Sequence, residues 1–540
     1  MNATLSALPE VGRQSQPENH VNRAGAPSYR RSLQERVLGV LSTGTLGDTY
    51  YASREELAKE AVDVITEARE ACPHFLARAL VWAREEGMMK TLPVLGLVIL
   101  SAGGRYKDLF EQAFPRVVKT PDDLRFFVAT ALSGKIHGRK GLGGMTVEPV
   151  RKFLTTMSEY HAVKYGSANS TDVRLADIIR LAHPKPASPQ VAERLGWLIR
   201  GTKAFGENQA LNPQIRAFES LKRAATEDEQ LTLIREGRLP FEVVVPSLKK
   251  TTLSIWSELL RQAPYMNLLR NLVTFTRHQV FQSEENVRYA VAKLTDPNAV
   301  QRSRVLPFRF FNAWRMYCAS EGHDSRIADA LRTALDLSFS TMPPFGSRRV
   351  ALGPDVSGSM SGGFTSKEST TRYIDIAGIF TGALLKRIEG RALVLPFDGA
   401  VRTGEFSSRD DIMVTTEKLA RYQGGSTAVG APIEYLLDRK IEVDVFIGIT
   451  DNVDWAHGQG YETSAAFLPL WHSYKREIAP QAQAFLVTIA PYGDAVAPTG
   501  TKGVHFIYGW SDRVVNYIAL KLQTGESQVE AVERMELAVR

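Results

Sequence analysis

From residue 31 to about residue 340, the sequence is a succession of helical patterns separated by Gly, Pro or Asn. In residues 52–70, for example, Ser53 and Glu56 form a capping box ahead of an apolar stripe at helical spacing. Comparable patterns cover residues 73–87, 121–132, 146–166 and 190–201. Strand-like alternation is scarce, so these helices must bury their stripes against one another. The pattern predicts an all-α helical-repeat array, whose repeats are degenerate because no strict period is present.

A different pattern begins at about residue 346, where apolar runs rich in β-branched residues alternate with helical segments. The candidate strands are residues 348–354, 391–397, 443–450, 483–489 and 503–509. Strands that are apolar on both faces and separated by helices form a parallel sheet covered on both sides. The sequence therefore predicts an α/β domain, in which ligands bind at the carboxyl ends of the strands.

Length and composition indicate a multidomain globular protein. A chain of 540 residues, 44% hydrophobic and 23% charged, is longer than one core usually organises. We divide it into a flexible N-terminal arm over residues 1–30, the helical array over residues 31–345 and the α/β domain over residues 346–540. No apolar stretch approaches the ~18 residues of a membrane span and no signal-peptide pattern opens the chain, so a cytoplasmic location is expected. Cys72 and Cys318 are too few for a disulfide framework or a thiolate zinc site.

The charge is unevenly distributed. The whole chain has 66 Lys and Arg against 59 Asp and Glu, a net charge of +7. From residue 346 onward there are 20 basic and 23 acidic residues, a net charge of −3, which leaves 46 against 36 and a net charge of +10 before it. The excess of positive charge in the helical part favours a polyanionic partner there, such as a nucleic acid.

The segment 350–362, VALGPDVSGSMSG, places a carboxylate and alternate serines directly after the first candidate strand. A phosphate-binding loop is disfavoured because Ser359 stands where such loops carry a lysine. A serine nucleophile is disfavoured because the Gly-x-Ser-x-Gly elbow is absent and neither His457 nor His472 has a distinctive context. A hard divalent cation fits better, since Mg²⁺ takes oxygen ligands and few carboxylates.

Five oxygen-bearing side chains at predicted strand ends would form this cation site. Asp355, Ser357 and Ser359 alternate within one turn, so their oxygens can converge on one point. Thr427 lies in a glycine-rich loop, and Asp451 directly follows a candidate strand. The sequence therefore predicts a site for Mg²⁺ or Mn²⁺. The alternative is that Asp355 and the two serines only cap the following helix.

This set of three loops is similar to the metal-ion-dependent adhesion site of von Willebrand factor A domains, and the whole α/β domain resembles that Rossmann-like fold. The resemblance implies that Ser357, Ser359 and Thr427 bind the cation directly. It also implies that Asp355 and Asp451 act largely through water.

One ligand position has two candidates, because Ser426 is adjacent to Thr427. Thr427 is preferred, since Pro432 then falls where the family often has a proline. Sites of this kind keep one metal position open for a carboxylate of a partner protein. The resemblance therefore implies binding rather than hydrolysis.

The helical array in turn resembles the TROVE module of the Ro autoantigen family, over about residues 31–345. TROVE followed directly by an A domain is the characteristic order of that family, and the compact chain without extra domains favours a bacterial member. The motifs that carry the resemblance are 142-LGGMTVEPV-150, 177-DIIRLAHPKP-186, 265-YMNLLRNL-272 and 307-PFRFFNAWRMY-317.

The Ro resemblance has implications for fold and function. It implies a ring of HEAT-like helical repeats closed by the A domain, in a protein that is monomeric and not an enzyme. Small noncoding Y RNAs would bind the basic outer surface, and single-stranded 3′ ends of misfolded RNAs would thread the central hole, in RNA quality control. A protein partner such as an exoribonuclease could meet the metal site.

Two clusters of cations are the candidate RNA-binding residues. The first is a loop with five glycines over residues 133–144, where backbone N–H groups and side chains can approach phosphates together. The second surrounds a short helix, on which Arg180 and His183 are expected to share one flank and Arg174 the other. The residues proposed to contact RNA are Lys135, His137, Arg139, Lys140, Lys164, Arg174, Arg180, His183 and Lys185.

Two alternatives remain open at this point. The aromatic residues Phe310, Phe311 and Trp314 could stack on bases, but their helical spacing favours a place in the core. The chain could also be an A-domain adaptor whose helical array grips a protein. An adaptor need not release its partner as salt is raised, whereas an RNA-binding protein must. No arrangement of nucleophile, base and oxyanion donors is recognisable in the sequence.

Overall fold

The computed structural model describes residues 21–26, 28–44, 52–136, 141–166, 173–364, 370–388, 392–422, 424–454 and 466–538, and these form two compact units. The α/β unit takes its residues from Met1–Ala58, Met342–Trp510 and Val514–Val529. The helical unit takes its residues from Lys59–Thr341, Ser511–Arg513 and Glu530–Arg540. No helix of the described chain is both long and apolar enough to cross a membrane.

In the first part of the described chain, a short strand and a helix are followed by eighteen α-helices. In order, these elements are β1 (Tyr29–Arg30), α1 (Leu33–Thr43), α2 (Arg54–Ala71), α3 (Pro73–Glu85), α4 (Thr91–Leu100), α5 (Lys107–Val117), α6 (Pro121–Leu132), α7 (Gly144–Thr156), α8 (Glu159–Gly166), α9 (Leu175–Ala182), α10 (Pro189–Arg200), α11 (Pro213–Leu221), α12 (Glu227–Gly237), α13 (Phe241–Ser247), α14 (Leu253–Gln262), α15 (Tyr265–Arg277), α16 (Glu284–Leu294), α17 (Pro297–Ser303), α18 (Pro307–Cys318) and α19 (Ser325–Ser338).

Strands and helices alternate in the rest of the chain. In order, they are β2 (Val350–Pro354), α20 (Gly358–Gly362), α21 (Tyr373–Leu385), β3 (Leu393–Val394), α22 (Ile412–Ala420), α23 (Ala431–Asp438), β4 (Val445–Thr450), α24 (Phe467–Glu477), β5 (Gln483–Thr488), β6 (Asp494–Ala495), β7 (Val504–Tyr508), α25 (Arg513–Thr524) and α26 (Gln528–Glu533).

Local signals set the helix boundaries in the helical unit. Thr120 and Asp123 form a capping box at the start of α6, and Pro121 occupies its first turn. The predicted helix over residues 146–166 is instead the two helices α7 and α8. The backbone of Met157 is extended, and Ser158 Oγ then accepts a hydrogen bond from the His161 N–H at 3.2 Å. A serine that caps α8 therefore explains the break.

The α/β unit is built on a five-stranded sheet in the order β3-β2-β4-β5-β7, and every pair of neighbouring strands is parallel. All residues of β2 and β4 are buried, as the doubly apolar pattern predicts. β2 lies between β3 and β4 in the sheet. The chain runs from β2 to β3 on one side of it and then returns to β4 on the other side. The order of the strands therefore reverses at β2, and the carboxyl ends of β2 and β4 are where such a sheet binds ligands.

The N-terminal segment belongs to the α/β unit and not to the helical array. β1 pairs antiparallel with β6, through Tyr29 with Ala495 and Arg30 with Asp494. α1 begins with a capping box of Ser32 and Glu35 and packs against β7. The helical array was predicted to begin at residue 31, but the residues of α1 belong to the α/β unit. Strand pairing and a buried helix face hold this segment on the sheet.

Candidate functional site

Asp355 lies directly after β2, and its carboxylate is fully buried. Its own N–H donates to the Ile449 carbonyl of the neighbouring strand at 3.0 Å, which fixes the backbone. The Ser357 N–H donates to Asp355 Oδ1 at 2.9 Å, and Thr450 Oγ1 donates to Oδ2 at 2.7 Å. Each oxygen of this carboxylate therefore accepts one hydrogen bond, and each oxygen has a further lone pair available.

The two serines lie side by side, with 3.2 Å between Ser357 Oγ and Ser359 Oγ. Both are buried. Ser357 is the residue before α20, but its side chain makes no capping hydrogen bond to that helix. The geometry of Ser357 therefore does not fit the alternative in which the serines only cap the next helix.

The loop that carries Thr427 lies against the loop that carries the serines. The Gly358 N–H donates to the Gly425 carbonyl at 3.1 Å. A side chain at Gly424 would come within 2.1 Å of the Val356 carbonyl oxygen, so only glycine allows this approach. Thr427 itself is 2% exposed.

Asp398 holds the same loop from its other side. Its Oδ2 accepts a hydrogen bond from the Gly425 N–H at 3.3 Å, and its backbone carbonyl accepts one from the Ala428 N–H at 2.8 Å. Arg402 donates to both carboxylate oxygens, at 3.0 and 2.6 Å. Sequence reasoning missed this support, although an Asp just after a predicted strand was a signal of the same kind as Asp451.

Asp451 follows β4 and completes the predicted set. It is buried, and its Oδ1 accepts a hydrogen bond from the Val453 N–H at 3.0 Å. Its Oδ2 is buried and has no hydrogen bond of standard geometry within the described chain, while the hydroxyl of Ser359 is near enough to this carboxylate to lower its pKa against the larger effect of burial. Burial raises the pKa of Asp355 and of Asp451, and the charge of Asp451 raises the pKa of Asp355 further.

These residues fit a hard divalent cation. An unpartnered buried carboxylate oxygen is costly unless a cation or donor meets it. The described chain contains no group of three or more His, Cys, Asp or Glu side chains placed to hold a metal ion, so a cation here would depend on hydroxyl oxygens together with two carboxylates. Two carboxylates with neighbouring hydroxyls are the ligand type of Mg²⁺ or Mn²⁺.

The glycine-rich loop of the helical unit can be assessed only in part. Lys135 is exposed at its start. The other three cations predicted there, His137, Arg139 and Lys140, lie outside the described residues.

The second predicted cation cluster surrounds α9. The inward stripe of this helix is buried as expected. Arg174 and Arg180 were expected on opposite sides, but both contact Asp177, at 3.0 and 3.2 Å. Arg174 precedes the helix, where its extended backbone lets its side chain reach the first turn. His183 and Lys185 are exposed beyond the helix end, so all four side chains are accessible to a polyanion.

Lys164 has a different environment from the other predicted RNA contacts. Its Nζ lies 2.8 Å from Glu242 Oε1, which joins α8 to α13. Burial opposes its charge, but the hydrogen bond and charge of Glu242 outweigh burial and raise the pKa of Lys164. An amine that already has a carboxylate partner is less available to a phosphate.

Three cations that sequence reasoning missed lie near one another in the helical unit. Lys90, Arg270 and Arg309 are exposed, and none makes an ion pair with a described carboxylate. Burial lowers the pKa of Lys90, and Arg84, Arg309 and Arg270 lower it further against the opposing effect of Asp123. Burial and Arg270 likewise lower the pKa of Arg309.

These three cations, which we call the basic trio, lie where early and late helices of the array meet. Arg304 at the end of α17 donates to the Glu85 carbonyl of α3 at 3.5 Å. Of the three aromatic residues predicted for the core, Phe310 and Phe311 of helix α18 are at most 2% exposed, whereas Trp314 is only half-buried.

Comparison with known proteins identifies both parts of the chain. The TROVE domain family matches residues 243–318, and the Ro60 vWA domain family matches residues 349–519. The RNA-binding protein RO60 of Deinococcus radiodurans is 28% identical over 468 residues, which cover 82% of this chain and 85% of that protein. The RNA-binding protein RO60 of Caenorhabditis elegans is 25% identical over 314 residues, covering 54% of this chain and 47% of that protein.

A solved structure has the same fold. The crystal structure of the Deinococcus radiodurans RO (RSR) protein matches with a TM-score of 0.66 at 22% identity, over 90% of this chain and 99% of that one. The predicted fold class, helical repeats together with a von Willebrand factor A-like domain on a parallel sheet, is therefore confirmed.

Proposed function

We propose that this chain, a member of the Ro family with a TROVE domain followed by a Ro60 vWA domain, is a non-catalytic RNA-binding protein. The observation that carries the proposal is the basic trio of Lys90, Arg270 and Arg309, two of which lie within the TROVE match. The names of the relatives from Deinococcus radiodurans and Caenorhabditis elegans support the same assignment.

The trio is suited to phosphate because its charges are not compensated from within. Like charges held near one another repel, and protein atoms around Lys90 and Arg309 further disfavour their charged forms. A polyanion would relieve this repulsion and release its own counterions on binding. A protein ligand would need a matching row of carboxylates to do the same.

The kind of RNA that binds at each place follows from the positions of the exposed cations. Arg270 and Arg309 lie on different helices, α15 and α18, and a single strand can follow cations spread over several helices because a lone backbone is much narrower than an A-form duplex. We assign these two cations to single-stranded 3′ ends of misfolded RNAs. The exposed cations Lys135, His183 and Lys185 are assigned to a structured small noncoding RNA of the Y type. The cellular role that this implies is RNA quality control.

The proposed cation site serves binding and not RNA chemistry. Asp355, Ser357, Ser359, Thr427 and Asp451 would hold Mg²⁺ or Mn²⁺, which supplies an open coordination position for a carboxylate of a protein partner such as an exoribonuclease. The chain's own residues keep the site dry, orient the oxygens and hold the Thr427 loop in place. A metal calorimetry experiment on the wild type tests occupancy directly.

The experiment for the RNA assignment compares two double variants at equal charge. Arg270→Gln with Arg309→Gln removes two cations of the trio. Arg235→Gln with Arg261→Gln, the control, removes an exposed and a half-buried arginine that pair with Glu258 and Glu285, at 3.0 and 2.7 Å.

Filter binding of single-stranded RNA between about 50 and 200 mM salt measures both variants, because each lost phosphate contact lowers the salt slope by about 0.7 for single strands. The trio variant should bind more weakly and with a smaller slope, and the control should bind like wild type. A wild-type affinity that does not respond to salt would favour the protein-adaptor alternative. Equal losses in both variants would mean that the trio has no special role.

A further inference from the structure

Asn22 ties the N-terminal segment to the loop that follows Asp451. It is 5% exposed, and its Nδ2 donates to the Asp454 carbonyl at 2.5 Å. Its Oδ1 accepts hydrogen bonds from the N–H groups of Ala24 and Ala26, at 2.9 and 3.0 Å. One buried amide side chain therefore shapes the N-terminal turn and anchors it to residues 451–454.

Arg31 makes a second connection from the same segment. It is 3% exposed, and its guanidinium lies over the rings of Phe506 and Tyr508, at 5.3 and 5.0 Å from their centroids. Its Nη2 donates to Thr488 Oγ1 at 3.4 Å. Within the described chain Arg31 is buried without an ion pair, which is costly, so these ring contacts and the hydrogen bond to Thr488 are what hold its guanidinium in place.

Buried hydrogen bonds continue from Thr488 to the cation site. Asn452 Nδ2 donates to Thr488 Oγ1 at 2.7 Å. The Asn452 N–H donates to Thr450 Oγ1 at 3.0 Å, and Thr450 Oγ1 donates to Asp355 Oδ2 at 2.7 Å. Four of these five residues are at most 1% exposed and Arg31 is 3% exposed, so water does not compete for the hydrogen bonds.

The polarity of these bonds fixes the carboxylate. A threonine hydroxyl has one proton, and the Asn452 N–H occupies an acceptor position of Thr450. The single proton of Thr450 is therefore directed at Asp355. Asn452 is held at both its backbone and its side chain, in a left-handed conformation with φ of 62° that asparagine tolerates better than most residues.

We propose that the described residues 22–26 and 28–31 act as a brace for the cation site, and that Asn22, Arg31 and Thr488 are positioning residues for Asp355 and Asp451. The proposal rests on the cation site proposed above and adds its control by a segment far away in the sequence. Supporting residues around a metal typically change its affinity by about 10–100-fold when they are removed. The docking of the N-terminal segment should therefore set how tightly the site holds its cation.

The test breaks the connection at Thr488, which is not a proposed ligand. Thr488→Val keeps the shape and removes the hydroxyl, and Thr488→Ser restores it. Thr381→Val is the matched control, since Thr381 is also fully buried in the α/β unit but its hydroxyl donates only to Ala377 of its own helix, at 2.7 Å. Mn²⁺ affinity is measured by calorimetry on the full chain, and the metal-free unfolding temperature is measured in parallel.

Thr488→Val should bind Mn²⁺ about 10-fold more weakly, with Thr488→Ser and Thr381→Val close to wild type. A merely structural role would lower the unfolding temperature and leave the affinity unchanged, which would overturn the proposal. Asn22→Ala removes the separate hydrogen bond to the Asp454 carbonyl and should also weaken Mn²⁺ binding. This variant tests the proposal even if Thr488→Val does not fold. Absence of Mn²⁺ binding in the wild type would instead refute the cation site itself.

Discussion

Replacing Asp355 by Asn should stabilise the metal-free protein at neutral pH and abolish its stabilisation by Mg²⁺. Asn has the same shape and keeps an oxygen for the Ser357 N–H, but it has no charge to bury. Asp355 is fully buried, with Asp451 as a charged neighbour, and both effects raise its pKa. The pKa of Asp355 is raised to about 7, and each pKa unit corresponds to about 1.4 kcal/mol, so ionising Asp355 at neutral pH costs the metal-free protein on the order of a few kcal/mol.

The pH dependence of this effect has a definite sign. Because the folded-state pKa of Asp355 lies above that of the unfolded chain, the folded protein keeps the proton to higher pH. The contribution of protonated Asp355 to the stability of the fold is complete below about pH 4. It is lost as pH rises through the folded-state pKa of Asp355 toward neutrality. The difference in stability between Asp355→Asn and wild type should therefore be small at acid pH and grow toward neutral pH.

Hydrogen exchange of β2 and β4 is the appropriate measurement. Unfolding of two units need not be two-state, whereas amide exchange reports the stability of the strands next to the site. Wild type, Asp355→Asn and the control Asp444→Asn are compared with chelator and with Mg²⁺, at about pH 5 and about pH 7.5. Asp444 is half-buried and pairs with Arg349 at 2.7 Å, and this interaction lowers its pKa, so the control should not gain stability at neutral pH.

Saturating Mg²⁺ should protect the wild-type strands by about 2.7 kcal/mol at 100 times the Kd, while Asp355→Asn should gain nothing. The reasoning is wrong if Asp355→Asn is no more protected than wild type in chelator at neutral pH. It is also wrong if Mg²⁺ protects both proteins equally, because the cation would then bind elsewhere.

Three further outcomes are expected. Asp355→Ala should leave the affinity for RNA within about twofold in a gel shift. The paired changes Lys135→Ala and Arg139→Ala should weaken RNA binding while the protein still binds Mn²⁺. Loss of RNA binding in Asp355→Ala would place the metal in the RNA site. An RNA with a free single-stranded 3′ tail should outcompete the same RNA with a blunt end, and circularisation should remove that advantage, whereas equal competition would indicate surface binding only. Lys164→Met should lower the unfolding temperature, since it leaves Glu242 without its partner at 2.8 Å, and it should change RNA affinity little in filter binding.

Local patterns were sufficient to predict most elements of the fold. The apolar run 443–450 contains β4, and the pattern over residues 121–132 is α6 to the residue. The capping signal at Ser158 was present in the sequence but was outweighed by the continuous apolar stripe around it. The pairing of β1 with β6 had no local signal, because two-residue strands show no alternation and their partners are far apart in the chain.

The candidate cation site was easier to predict than the candidate RNA surface, for a physical reason. Metal ligands at strand ends are constrained by the sheet, so Asp355 and Asp451 had to lie at neighbouring positions once β2 and β4 were recognised. Cations of an RNA surface are constrained only by the three-dimensional packing of helices. Lys90 and Arg309 look like ordinary surface residues in the sequence, and only their proximity in the folded unit distinguishes them.

The two proposed sites attract ions of opposite sign, and solution conditions should therefore act on them separately. Lys90, Arg270 and Arg309 are exposed, so salt screens them and weakens phosphate binding. Asp355 and Asp451 are buried, where screening is far smaller. A chelator removes a divalent cation but leaves the charge of the arginines unchanged. Two independent sites thus require that single-stranded RNA stays bound in chelator and that the cation stays bound at high salt. Loss of both ligands under either condition would mean that RNA and cation occupy one site.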